Sequence, residues 1–141
     1  MHKVLHTPTT RLATLLLAGV AACPLPTWAE DGNVPAFQTK GALRYSCGGI
    51  GSDESTAMRS EMKNYPLSLL FARKDGDYLA NLAVEIQGKT GGPMQFTATG
   101  PVCLLQLPAG HYSVKASTQG GTFQTKSIDV GRNHQTLDFR Y

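Results

Sequence analysis

The chain is poor in the features that mark most chemistries. Beyond residue 22 no stretch approaches the roughly 20 apolar residues of a membrane-spanning helix, so no span is expected in the body of the protein. No block of like charge runs anywhere, and the 13 basic residues nearly balance the 10 acidic ones. Two of the basic residues, Lys3 and Arg11, fall in the N-terminal leader. The remainder carries no electrostatic footprint for nucleic acid. Beyond the leader, metal-ligand pairs at close spacing, C-x₂₋₄-C or H-x₃₋₅-H, are absent. So is a G-x-S-x-G nucleophile elbow, and the glycines of "GGIGSDES" are not followed by the G-K-[ST] of a phosphate loop. No cofactor is implied.

What the N-terminus does contain is an address. Lys3 and Arg11 precede an apolar run from Leu12 to Ala22, followed by Pro24, Pro26 and the small-residue pattern Thr27-Trp28-Ala29. These are the parts of a secretory signal peptide. Residues 1–29 are expected to be removed, leaving an extended lead-in over 30–41 and one domain over 42–141. The protein is then periplasmic or secreted. A second processing route is open, because Val20 to Cys23 ("VAAC") resembles the lipobox of bacterial lipoproteins. Cleavage before Cys23 would leave an acylated cysteine anchored in the outer membrane. Detergent partitioning of a Cys23→Ala variant separates the two routes.

Export gives the cysteines their meaning. After cleavage at Ala29 only Cys47 and Cys103 remain, and an even pair in an oxidising compartment is expected to be a disulfide. The bond would close a long loop and stabilise a small core by about 4 kcal/mol in the chain-entropy model.

Along the chain, one segment reads as helix. Ser52 is the expected N-cap of a helix over "SDESTAMRSEMKNY". Asp53 and Glu54 lie in its first turn, with Arg59 and Lys63 toward its end, each matched to the helix dipole. Met58, Met62 and Tyr65 form an i, i+4, i+7 apolar stripe, and Pro66 ends the helix. Elsewhere the period is two: Leu67/Leu69/Phe71, Leu82/Val84/Ile86, Met94/Phe96/Ala98, Tyr112/Val114/Ala116 and Leu137/Phe139/Tyr141 each alternate with other residues. "VCLLQL" reads as a strand buried on both faces. Phe123 is out of step with Ile128 and Val130, which predicts a bulge. Short strands bounded by Gly, Pro, Asn and Asp turns predict an all-β, antiparallel β-sandwich with one short N-terminal helix.

The residues from Leu107 onward carry a resemblance. Leu107, Pro108, Gly110, Tyr112 and Val114 match a Leu-Pro-x-Gly-x-Tyr-x-Val corner, and Gly120, Ile128, Val130, Leu137 and Phe139 fit the strands that follow. Over roughly Leu67 to Tyr141 the chain resembles carboxypeptidase regulatory-like domains. The resemblance implies a transthyretin-like sandwich, an accessory module rather than a catalytic domain. It says little about activity, because sandwiches host many functions. The His-x-x-Glu of zinc carboxypeptidases is missing after both His111 and His134. Transthyretin-like hydroxyisourate hydrolases end in Tyr-Arg-Gly-Ser, whereas this chain ends Asp-Phe-Arg-Tyr.

Two constellations have ordinary readings. Cys47, Cys103, His111 and His134 are the only spaced set a metal would draw on, and a disulfide would consume both thiols. His111, next to Tyr112 in an alternating strand, is expected to face outward if Tyr112 faces the core. The Ser/Thr/Gln-rich segments 97–100, 117–121 and 122–127 suit solvent or a bound partner equally. No catalytic residue and no metal ligand is assigned. The expectation is a non-enzymatic module that binds or braces an envelope protein or glycan. Its rivals are a lipid-anchored assembly or inhibitor subunit, and a small hydrolase whose site is unrecognised.

Overall fold

The computed structural model describes residues 23–24 and 34–141. The leader, its cleavage site at Ala29 and the start of the lead-in lie outside the described residues, apart from Cys23 and Pro24. Nine strands, one helix and one 3-10 turn follow in the order β1 (Gln38–Lys40), β2 (Leu43–Gly48), α1 (Ser52–Glu61), the 3-10 turn Met62–Asn64, β3 (Leu67–Ala72), β4 (Leu82–Gly88), β5 (Met94–Ala98), β6 (Val102–Gln106), β7 (Gly110–Ser117), β8 (Phe123–Val130) and β9 (Gln135–Arg140).

They form two sheets, one ordered β1-β2-β6-β3-β9 and the other β5-β4-β7-β8. Pairing is antiparallel except between β3 and β9, which run parallel from Leu67↔Gln135 to Ala72↔Arg140. Strand alternation then dictates the core. Leu43, Tyr45, Leu67, Leu69, Phe71, Leu105 and Phe139 of the first sheet meet Leu82, Val84, Ile86, Phe96, Val114 and Ala116 of the second, all buried. Tyr45 stacks on Phe96 with ring centroids 4.3 Å apart, a contact that spans the two sheets.

A second apolar cluster lies on the other face of the first sheet. Met58 packs with Val102 and Leu104, and Met62, Tyr65 and Leu70 close around them. The helical stripe covers β6, which explains why Val102 to Leu105 are buried without alternation. Ser46 Oγ donates to the Pro35 carbonyl at 2.6 Å, so the end of the lead-in is tied to the same face. The sheet begins inside the lead-in, because β1 pairs with β2 from Gln38↔Tyr45. Among the described residues no helix is long and apolar enough to cross a membrane.

Two local expectations are corrected. Ser52 is the first helical residue, and Gly51 holds the N-cap position at φ 90° with no side-chain cap. Gly49 and Gly51 turn the chain through the left-handed region, which displaces Ser52 from the capping geometry. Glu54 Oε1 accepts the Gly49 N–H at 2.7 Å, two residues before the N-cap, and so ties the glycine turn to the first turn of the helix. The bulge in β8 does not form either. Its register with β7 is unbroken from Gly110↔Val130 to Ser117↔Phe123. Phe123 simply faces outward, 58% exposed, with the Lys115 ammonium 4.4 Å from its ring centroid.

The corner at Leu107–Tyr112 carries the chain from the first sheet to the second. Leu107 is buried, Pro108 bends the chain, and Tyr112 turns inward. The Tyr112 hydroxyl donates to the Pro108 carbonyl at 2.7 Å, locking the crossing as a tyrosine corner. Burial holds this phenol above its ordinary pKa of 10.0, so it stays a donor through the neutral range. Tyr112→Phe is expected to cost about 1 kcal/mol, read as a lower urea midpoint at unchanged m-value.

Among the described residues one buried polar side-chain atom has no partner. Ser68 is fully buried on β3 between Leu104 and Thr136, and its Oγ makes no hydrogen bond. Ser68→Ala removes an unpaid desolvation and is expected to be neutral or to stabilise by up to about 1 kcal/mol in the same urea titration.

Candidate functional site

Three turns meet at the corner end of the sandwich. The β1–β2 turn contributes Gly41 and Ala42, the β4–β5 turn contributes residues 88–92, and the corner contributes residues 108–112. Between them lies a cleft of about 410 Å³, within the size range of small-ligand sites. Glycine builds much of its wall. A Cβ added at Gly41, Gly91 or Gly92 would meet nothing within 4 Å. Gly41 and Gly91 are required by their positive φ, but Gly92 is not. At Gly92 neither backbone strain nor packing calls for glycine, and the missing side chain leaves the cleft open.

The polar groups at this cleft are few. Lys89 brings the one full positive charge, Thr90 a hydroxyl, and His111 an imidazole. His111 Nδ1 lies 2.6 Å from Asp129 Oδ1 across β7–β8. A carboxylate only accepts, so Nδ1 carries the proton, and in the neutral ring Nε2 is an acceptor. Among the described residues Nε2 makes no hydrogen bond. Met94, Ala109 and the Tyr112 ring supply apolar surface. The arrangement offers a cation, a hydroxyl and an oriented imidazole against walls that a flat or extended ligand can approach closely.

His111 therefore faces outward, 49% exposed, and also borders a cavity. His134 is used differently. Its Nδ1 donates to the Tyr65 carbonyl at 2.7 Å and its Nε2 accepts from Thr136 Oγ1 at 2.9 Å. It joins the end of the helical segment to β9, and both ring nitrogens are occupied.

Cys47 and Cys103 are bonded to each other and sit directly opposite in β2 and β6. Their sulfurs are committed, and among the described residues no group of three or more His, Cys, Asp or Glu is placed to hold a metal ion. Glu54 is occupied by the Gly49 amide, so Asp53 and Glu54 do not act as a pair. Cys23 is exposed and outside any disulfide.

Two further hollows flank the sandwich. One, of about 380 Å³, lies on the outer face of the second sheet, where Gln95 donates to Glu85 at 2.7 Å beside Lys40 and Lys115. The other, of about 450 Å³, lies at the end opposite the corner, between the β3–β4 loop, the β7–β8 turn and Tyr141.

Residues 107–112 and the segment "GKTGGP" each read as a turn in the sequence. Nothing local says that they face one another. The signal that existed was the glycine surplus at Gly91–Gly92, more than one tight turn needs. No family model and no curated protein matches the chain.

Proposed function

We propose that this chain is a non-enzymatic exported module of the cell envelope, a transthyretin-like sandwich of the carboxypeptidase regulatory-like kind. It holds an envelope protein or glycan at the corner cleft. The observation that carries the reading is the cleft itself, where Lys89 and the oriented His111 converge on glycine walls. Binding is favoured over catalysis because, among the described residues, no hydroxyl or thiol nucleophile is hydrogen-bonded to the His111 ring. The buried cystine suits an oxidising compartment, in line with a periplasmic or secreted address. The resemblance is supported by the placement of its residues: Leu107 and Val114 are buried, and Pro108 and Tyr112 share the corner hydrogen bond.

The test places a photocrosslinking residue at position 92 of the full-length chain expressed in a Gram-negative host, with position 127 on the outer face of β8 as control. A discrete adduct from position 92, absent from position 127, is the expected result. Equal adducts from both positions, or none from position 92, would remove the cleft from consideration.

A further inference from the structure

The outer face of the second sheet carries polar side chains of both signs. The register lays two rows across it. One runs Gln95, Glu85, Lys115 and the other Thr97, Ala83, Ser117, Phe123, in the strand order β5-β4-β7-β8. Side chains so placed stand about 5 Å apart on one face. Ala83 and Ser117 are small, and over them lies the hollow of about 380 Å³. Gln95 Nε2 donates to Glu85 Oε2 at 2.7 Å, which holds amide and carboxylate side by side on its rim. Lys40 of β1 reaches the same rim from the first sheet.

The charges on this rim are not spent on one another. Among the described residues neither Lys40 nor Lys115 forms an ion pair. Glu85, though opposite Lys115 in the register, takes the Gln95 amide instead. The Lys115 ammonium lies 4.4 Å from the Phe123 ring centroid, which ties the aromatic to the edge of the hollow. Phe123 is 58% exposed and takes no part in the core. Among the described residues it is the one large apolar side chain left exposed on this face. Backbone pairing fixes the groups before anything binds: β4 and β7 are interior strands, so Ala83, Glu85, Lys115 and Ser117 cannot drift apart.

From this arrangement we infer that the hollow binds a neutral oligosaccharide, laid along the sheet with one ring against Phe123. Every sugar hydroxyl both donates and accepts. A rim of ammonium, carboxylate, amide and hydroxyl groups supplies partners for both roles. Lys115 and Glu85, neighbours on adjacent strands, serve adjacent hydroxyls of one ring. The C–H bonds of a pyranose are drawn to the negative face of the Phe123 ring. A polyanion would meet Glu85, and a polycation the two lysines. An apolar segment would cover those charges without replacing their water. The volume of about 380 Å³ is of ligand size. This site lies apart from residues 88–92 of the corner cleft and stands or falls separately.

The test is an amide-resolved NMR titration of the disulfide-bonded protein. The neutral probes are maltotriose, cellotriose and N,N′,N″-triacetylchitotriose, and the charged ones are trigalacturonate and deacetylated chitotriose. At least one neutral probe is expected to give saturable shifts in the segments 83–85, 95–97 and 115–117, with each charged probe binding more weakly. Phe123→Ala and Gln95→Ala should each weaken that binding roughly three- to tenfold, the loss of one aromatic contact or one hydrogen-bonding group. Both residues are exposed, so the variants keep the fold, checked by unchanged shifts elsewhere. No saturable shift from any neutral probe, shifts confined to other regions (residues 88–92 included), a charged probe binding as tightly or more tightly, or unchanged affinity in either variant would each overturn the assignment.

Discussion

Replacing Cys47 and Cys103 together with alanine is expected to lower the unfolding free energy by about 4 kcal/mol, the chain-entropy value for a bond joining residues 56 apart. The size of the effect comes from the unfolded chain. In the folded state β2 and β6 are already neighbours, with Cys47 opposite Cys103 and pairing on either side from Arg44↔Gln106 to Gly48↔Val102. The bond adds little to that geometry, but without it the unfolded ensemble gains the freedom of the whole helix and three strands between the cysteines. Domains of this size have about 5–15 kcal/mol in total, so the loss is a large share. Urea unfolding of the oxidised protein and the double variant measures it directly. A difference under about 1 kcal/mol would show that the unfolded chain stays compact without its bond. The double variant is the informative one, since a single replacement leaves a buried free thiol and mixes two effects.

The strands were legible because burial on one face writes a two-residue period into the chain. Leu82, Val84 and Ile86 are such a case, and so are Tyr112, Val114 and Ala116. The double burial of Val102 to Leu105 was equally visible as an unbroken apolar run. Phe123 shows where the rule fails. An aromatic out of phase suggests a bulge, yet a lysine over its ring is enough to let it face solvent. The helix start failed for a related reason. Ser52 has the chemistry of a cap, but the positive φ of Gly49 and Gly51 sets the geometry and leaves Gly51 at the N-cap. Sheet order and the parallel pairing of β3 with β9 are contacts between distant residues, and local periodicity carries no record of them. The same is true of the corner cleft. Lys89 and His111 lie on different turns, and only the crossing at Pro108 brings those turns to one end of the sandwich.

Phe139→Ala is expected to cost about 3–5 kcal/mol, the range for emptying a buried aromatic site. Phe139 is fully buried and stacked on Phe71, ring centroids 5.4 Å apart, at the matched position of the parallel pair. The site has little means of collapse. β9 pairs through its backbone with β3 alone. Its other side is held to β8 by side chains, with Lys126 Nζ donating to the Asp138 carbonyl and Gln124 Nε2 to the Arg140 carbonyl. These bonds satisfy strand-edge carbonyls that would otherwise be open to pairing with another chain. Lys126 also lies 5.4 Å from the Phe139 ring centroid, so the aromatic supports the seam as well as the core. Phe139→Leu keeps most of the volume and should cost under about 1.5 kcal/mol. Thermal or urea unfolding of the pair separates cavity from seam. A small loss in Phe139→Ala would mean that β9 re-seats against Phe71. That outcome would also move Tyr141, two residues on, and with it a wall of the hollow opposite the corner.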